Sequence, residues 1–540
     1  MPPTFHIENF GCRAARADGE AIAALLRAAD AAESQPSEAD VVIVNTCSVT
    51  AEADREARAY IRRAHRLNPA ARIIATGCYA QRAPEELANL PGVSAVIGNS
   101  HKALAPPIAL QLAYASSSVE GTGLSPCIQF EQIGGALAPE EPTSTVQFVS
   151  IHALRTISNH PLILADDAFA HSFLEEALIA PGAQTRPNLK IQEGCSNRCS
   201  FCIIPQTRGN SRSLSAESVL SQVHSFVAAG GNELVLSGIN LGHWGRDFAS
   251  HKNPTHSKGT GFRPYIHTSA RQRASAPEGN VPRTLTSLVR TIFERTRLPR
   301  LRLSSIEPMD WNSELIALMS EFGGTRLARH AHLPLQSGSD AVLRRMHRRY
   351  RPWHYADKVA ALLRAAGPAL ALGADVMVGF PGESDREFQE TCDFIRDLPF
   401  GYLHLFPFSP RPGTRAWTLH AESPVPAELV NERMAALRSL AVEKTRAYRA
   451  QFINAELDAI TLQTPPVLAA YRRTSALTEN FLPVELSASL PANQLVRIRV
   501  TGLAAENTLL ASPALSTTSA TDSQFSPLPI SAEPVIETAF

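Results

Sequence analysis

The chain has 540 residues, 44% hydrophobic and 19% charged, a length and balance that call for a globular protein of several domains rather than one compact core. Fifty-one Lys and Arg balance fifty-one Asp and Glu, so net charge announces no nucleic-acid partner and any basic surface has to be local. The opening MPPTFHIENF carries no secretory leader pattern, and no apolar run reaches the roughly 18 residues that span a bilayer. The expected compartment is cytoplasmic, where clustered cysteines mean metal or catalysis rather than disulfides.

In chain order, Thr4–Asn9 reads as a strand, Asp18–Ala29 as a helix, Ala39–Asn45 as a buried strand, Ala51–Leu67 as an Arg-rich helix and Ala71–Thr76 as a strand. This alternation predicts a small parallel α/β domain over residues 1–102. Residues 103–185 are Ala-, Ser- and Pro-rich with weak periodicity and read as an insertion or linker, with some helix at Ala168–Ile179. From Leu189 the alternation resumes with LKIQ, a helix near Ala216–Ala229, NELVLSG, a helix at Leu285–Arg295, RLRLSS, ALGADVMVGF and GYLHLFPFS. These units predict a complete or partial parallel (β/α) barrel over 186–450, interrupted by a polar insertion at 246–282. After a helix at Pro426–Ala450, the strands ELDAITLQ, NFLPVEL and QLVRIRV predict a small β-barrel over 451–511, a class that commonly binds oligonucleotides. The Ser-, Thr- and Pro-rich tail 512–540 reads as disordered.

GCSNRCSFC places Cys195, Cys199 and Cys202 directly after LKIQ. A structural zinc site closes four ligands, and an iron–sulfur cubane also usually takes four thiolates. Three thiolates leave one iron open to a ligand that is not protein. Cys12, Cys47 and Cys78 follow FHIENFG, VVIVNT and IIATG, just beyond the C-terminal ends of predicted parallel strands, the rim where open α/β sheets bind ligands. Three cysteines at equivalent positions suggest a second cluster, again with an open iron. Cys127 and Cys392 have no partner at metal spacing and read as structural.

The CxxxCxxC loop resembles that of radical S-adenosylmethionine enzymes. Together with GCR…NTCSVT…TGCYAQ it resembles the methylthiotransferase family, from about Phe5 to Leu503 apart from the two insertions. GCRAARADGEAI, NTCSVTAEADREAR and LSGINLGHWGRD resemble the branch that methylthiolates N6-threonylcarbamoyladenosine in tRNA. HLPLQSGSD is like the tRNA-acting members, and TENFLPVEL and VRIRVTGL resemble the C-terminal TRAM module.

The resemblance implies two 4Fe–4S clusters and S-adenosylmethionine. The cluster at Cys195, Cys199 and Cys202 would cleave the cofactor to a 5′-deoxyadenosyl radical. The cluster at Cys12, Cys47 and Cys78 would carry the sulfur, and a second S-adenosylmethionine would donate the methyl group. Implied partners are the tRNA anticodon stem-loop, an electron donor such as a flavodoxin or ferredoxin, and an unidentified sulfur source. Asn240, Glu307, Gly379 and Gly382, near the ends of barrel strands, would line the cofactor pocket. No single catalytic side chain stands out.

Arg344, Arg345, Arg348, Arg349 and Arg351 in LRRMHRRYRPWHY, with aromatics interleaved, suit RNA phosphates and splayed bases. Arg472 and Arg473 in the small barrel are candidates of the same kind. Three other readings stay open: the same chemistry on tRNA isopentenyladenosine, on a ribosomal-protein Asp, or a catalytically inactive iron–sulfur protein that binds tRNA.

Overall fold

The computed structural model describes residues 2–117, 161–167, 169, 174, 185–248, 282–504 and 508–514. Cys127, nearly all of Ala168–Ile179, the insertion beyond Phe248 and the tail beyond Ala514 lie outside the described residues.

The N-terminal layer is a six-stranded, all-parallel sheet built from β1 (Thr4–Asn9), β2 (Ala32–Glu33), β3 (Val41–Thr46), β4 (Arg72–Gly77), β5 (Val93–Gly98) and β6 (Leu162–Leu164), in the order β2-β1-β3-β4-β5-β6. Every residue of β3 is buried, as befits a central parallel strand covered on both faces. The helices Arg13–Ala28 and Ala105–Ser117 cover one face, packing Ile22, Leu26, Ile108 and Leu110 on Ile43 and Ile97. Helix Ala51–Leu67 covers the other with Tyr60 and Ile61. Its start is fixed by Thr50, whose side chain accepts from Ala53 N, and by Glu52 and Asp54 in the first turn.

The structure adds to the sequence reading here. The first helix begins at Arg13, not Asp18, because the Ala-rich first turn (Ala14, Ala15, Ala17) is buried and Cys12 serves as its extended N-cap. Strand β5 (VSAVIG) extends the sheet beyond the three strands that the alternation predicts. Helix Ala105–Ser117 and β6, inside the stretch read as an insertion or linker, pack on this sheet.

The central layer is a partial barrel of six parallel strands: β7 (Asn188–Glu193), β9 (Glu233–Gly238), β10 (Arg300–Leu303), β11 (His330–His332), β12 (Ala371–Val378) and β13 (Phe400–Pro407). The two-residue β8 (Arg212–Ser213) runs antiparallel beside β7. β10 and β11 are joined by separate backbone hydrogen bonds, Ala328 N to Leu301 O (2.9 Å) and Ile306 N to His332 O (3.1 Å). No ladder joins β7 to β13 among the described residues, so the barrel stays open there. The first helix of the N-terminal layer packs against β7 and β9.

The C-terminal layer is a closed five-stranded barrel, β14 (Glu456–Thr461), β15 (Thr474–Thr478), β16 (Pro483–Leu486), β17 (Leu495–Leu503) and β18 (Leu509–Pro513), ordered β14-β15-β16-β18-β17. Ser512 and Pro513, assigned to the tail from sequence, complete β18, whose Leu509 and Ala511 fill the barrel core. This barrel docks at the N-terminal ends of the central strands. Arg302 Nη2 donates to Thr478 O (3.1 Å), and Arg329 Nε donates to Glu479 Oε1 (2.8 Å). Among the described residues no helix is long and apolar enough to cross a membrane.

Candidate active site

Cys195, Cys199 and Cys202 lie on the loop that leaves the C-terminal end of β7. Gly194 turns the chain there with φ +68°, and a Cβ at that position would meet Asn210 O at 2.1 Å, so only glycine fits. Cys195 N donates to Gly209 O (3.0 Å), and Ser200 N donates to Met346 O (3.0 Å), which pins the loop at both ends. The three cysteines share a cavity of about 260 Å³ with Asn197, Arg198, His347, Thr414 and Arg415. Burial pushes the Cys202 thiol up to about 12, and the neighbouring Cys199 adds to the effect.

The polar surroundings are aimed at these sulfurs. Arg348 Nη1 donates to Cys199 Sγ (3.2 Å), and Asn240 Nδ2 lies 3.8 Å from Cys195 Sγ. Asn240 Oδ1 is buried without a partner among the described residues. Glu307 is held by Arg348 Nη2 through both carboxylate oxygens (2.7 and 2.6 Å), so the two side chains form one unit beside the cavity. Gly379 (φ +76°) and Gly382 (φ +70°) shape the turn after β12, where Gly379 N donates to Glu383 Oε2 (2.8 Å).

Cys12, Cys47 and Cys78 follow β1, β3 and β4 at one edge of the N-terminal sheet. Cys12 is exposed, whereas Cys47 and Cys78 are buried. Burial raises the Cys47 thiol to about 12, with Cys12 and Cys78 near enough to push it further. Gly11 (φ +95°) permits this approach, since a Cβ there would lie 2.4 Å from Cys47 Sγ. Arg208 Nε donates to Cys78 Sγ (3.2 Å), and Asn99 Nδ2 donates to the same sulfur (3.4 Å). Each triad therefore has one buried arginine hydrogen-bonded to one of its sulfurs. Neighbouring thiols with N–H donors directed at their sulfurs suit an iron–sulfur cluster, whose sulfurs accept such bonds.

The arginines expected at an RNA surface divide. Arg344 is exposed, though paired with Asp340 (2.9 Å), and Arg349 is exposed with no ion pair among the described residues. Arg345 is clamped by Glu387 through two bonds (2.8 and 2.9 Å). Arg348 corrects the sequence expectation: at 7% exposure, with Cys199, Glu307 and Tyr350 around it, its guanidinium cannot reach a phosphate. Arg472 and Arg473 stand on the surface of the small barrel beside Tyr471, which is 75% exposed; Arg473 also pairs with Glu485 (2.8 Å).

Three features escaped the sequence reading. Asp18, Lys102, Lys190, Glu193 and Arg208 form a buried ionic network joining the N-terminal layer to β7. The charged residues inside the strand NLKIQE were the available signal, because a buried strand carries Lys and Glu only where partners wait. Asn99, in NSHKAL, carried no such cue. His332, Asp375 and His404 also meet across β11, β12 and β13, with both imidazoles on the carboxylate at 3.1 and 3.2 Å and His404 exposed.

The model described as Uncharacterized protein family UPF0004 matches residues 4–98, and that of the Radical SAM superfamily matches residues 189–395. The chain is 31% identical to the threonylcarbamoyladenosine tRNA methylthiotransferase of Bacillus subtilis (strain 168), covering 89% of this chain and 90% of that one. It is 30% identical to the protein of the same description from Aquifex aeolicus (strain VF5), over 86% of this chain and 91% of that one. A tRNA-2-methylthio-N(6)-dimethylallyladenosine synthase of Geobacter metallireducens is also 30% identical, over 77% of each chain. With both triads in place and similarity running through all three layers, this chain belongs to the tRNA methylthiotransferase family of radical S-adenosylmethionine enzymes.

Proposed function

We propose that the enzyme converts N6-threonylcarbamoyladenosine beside the tRNA anticodon to its 2-methylthio derivative. The observation that carries this reading is the pair of cysteine triads, each at the C-terminal end of parallel strands and each with a buried arginine on one sulfur. The choice of nucleoside rests on the relatives of that description, which cover about nine-tenths of their own length.

Cys195, Cys199 and Cys202 would hold the 4Fe–4S cluster that binds S-adenosylmethionine, and Cys12, Cys47 and Cys78 the second cluster. When bound, these groups supply a 5′-deoxyadenosyl radical and the sulfur, which a C–H bond as unreactive as adenine C2–H requires. The chain's own residues orient and shield. Arg348 and Glu307 fix Cys199, and Asn240 faces Cys195 with an unfilled carbonyl oxygen available to the cofactor. The cavity at the loop, about 260 Å³ and lined by Cys195, Cys199 and Cys202, is where that cluster would be held.

The small barrel sits at the strand N-termini, away from the cysteine loop, so Tyr471, Arg472 and Arg473 would contact tRNA at a distance from the modified base. The reaction also needs a one-electron donor of the flavodoxin or ferredoxin class and a sulfur source, and the cytoplasm is where they and tRNA would be met. The test is reconstitution under anaerobic conditions with S-adenosylmethionine, reductant and tRNA bearing N6-threonylcarbamoyladenosine. The 2-methylthio nucleoside and 5′-deoxyadenosine are expected together. Turnover only with tRNA bearing the dimethylallyl nucleoside would reassign the substrate.

A further inference from the structure

We propose that Arg208 tunes the N-terminal cluster, presenting two parallel N–H donors to its sulfur face and raising its reduction potential. The inference rests on the reading of Cys12, Cys47 and Cys78 as that cluster's ligands.

Arg208 ends the short helix Ile204–Arg208, which starts just after Cys202, so it belongs to the loop of the other triad. It nevertheless reaches across the domain junction. Its Nε donates to Cys78 Sγ (3.2 Å), while Nη1 donates to Asp18 Oδ2 (3.1 Å) and Glu193 Oε1 (2.5 Å). Nη2 is buried and has no partner among the described residues. In a guanidinium, Nε–H and one Nη2–H point the same way, the fork that grips bidentate acceptors. One tine ends on Cys78; the other faces the same side with nothing to bond. A buried donor left this way is unfavourable unless an acceptor arrives. A sulfide of a cluster on Cys78 is such an acceptor.

Charge leads to the same place. Among the described residues the buried network pairs Lys102, Lys190 and Arg208 with Asp18 and Glu193. A buried cation needs anions beside it, and Arg208 is the member of the network whose hydrogen bonds also reach a cysteine sulfur. Reduction adds negative charge to a cluster, so a cation and two N–H donors at its sulfur face stabilise the reduced state more than the oxidised one. Asn99 contributes the second protein donor to Cys78, and it is anchored by its bond to Thr207 O (2.8 Å), the residue next to Arg208. The two layers thus meet at the sulfur of one triad through the loop of the other.

The test is an EPR-monitored redox titration of the full chain with both clusters loaded. It is repeated in a Cys195→Ala, Cys199→Ala, Cys202→Ala background, where only the N-terminal cluster forms. Arg208→Gln is expected to lower that cluster's midpoint by at least 59 mV, a tenfold change in a one-electron equilibrium. Arg208→Lys should lower it less, and Asn99→Ala should lower it without disturbing the ionic network. The midpoint of the other cluster should stay in place. Iron loading at the level of the parent protein with an unmoved midpoint in the Arg208 variants would overturn the proposal and leave Arg208 a structural ion. If Arg208→Gln does not fold, Arg208→Lys decides alone. Absence of any cluster in the three-cysteine background would instead overturn the assignment of Cys12, Cys47 and Cys78, and this inference with it.

Discussion

Arg348 donates from Nη1 to Cys199 Sγ across 3.2 Å while its Nη2 binds both oxygens of Glu307. Burial opposes the charge on this guanidinium, but Tyr350, Glu307 and Cys199 outweigh that and hold it firmly protonated. Its guanidinium is therefore committed to Cys199 and Glu307, the site proposed to form the radical, rather than turned to solvent. Arg348→Gln is expected to lower 5′-deoxyadenosine formation at least about tenfold, ~1.4 kcal/mol of transition-state stabilisation. The slope of tRNA affinity against salt should not change. A filter-binding series over ionic strength beside a cofactor-cleavage assay separates the two roles; a flattened slope with full cleavage would return Arg348 to RNA.

The two triads should separate by mutation. Cys199→Ala removes one thiol of the triad proposed to hold the radical-forming cluster and should abolish cleavage of S-adenosylmethionine. Cys47→Ala should leave cleavage measurable while ending sulfur insertion. Iron analysis after anaerobic reconstitution should give about eight irons per chain for the parent protein and about four for either triad replaced entirely by Ala. Full methylthiolation by Cys47→Ala would remove the N-terminal triad from the chemistry.

On the small barrel, Tyr471→Ala is expected to weaken tRNA binding by about 1–3 kcal/mol if a base stacks on its exposed ring. Arg472→Ala should weaken binding across tRNAs and reduce the salt slope by about 0.7–0.9, one phosphate contact. Arg473→Ala should do less, since Glu485 already occupies that guanidinium. Cofactor cleavage at saturating tRNA should be unaffected in all three.

Glu233 gives a pH prediction at the floor of the barrel. Burial favours its neutral form, but Arg302, Arg186 and Arg300 prevail and hold the carboxyl down at about 2. Arg186 Nε and Arg302 Nε lie 2.7 and 2.9 Å from Oε1. A carboxylate depressed in the folded state contributes stability that is complete above its unfolded value and is lost as pH falls through the folded value. The contribution, on the order of 3 kcal/mol, should therefore disappear between about pH 4.5 and 2. Glu233→Gln should flatten that part of a denaturant-stability profile and lower stability at neutral pH, because three arginines lose their counter-ion. An unchanged acid limb would contradict the network's role.

Much of the architecture was legible in local sequence. Helix Ala51–Leu67 and helix Leu285–Arg295 have the predicted bounds, because capping by Thr50 and Thr284 and an apolar stripe agree with each other. The cysteines could be placed because each follows a recognisable buried strand. Strand β6 could not, as three residues after a long Ala- and Ser-rich stretch carry no period. Long-range polar pairing was also hidden. Asp18 and Lys190 lie 172 positions apart, and nothing local says that they share a buried site. The same holds for Arg348, whose basic neighbourhood suggested solvent and RNA until Cys199, 149 residues away, appeared beside it.

The most direct test of the central claim is mass spectrometry of tRNA nucleosides from a strain lacking the gene and from the same strain carrying the intact gene. The account predicts loss of 2-methylthio-N6-threonylcarbamoyladenosine in the deletion, accumulation of N6-threonylcarbamoyladenosine in its place, and recovery by the intact gene but not by Cys47→Ala or Cys199→Ala. An unchanged level of the 2-methylthio-threonylcarbamoyl nucleoside, with the dimethylallyl counterpart lost instead, would contradict it.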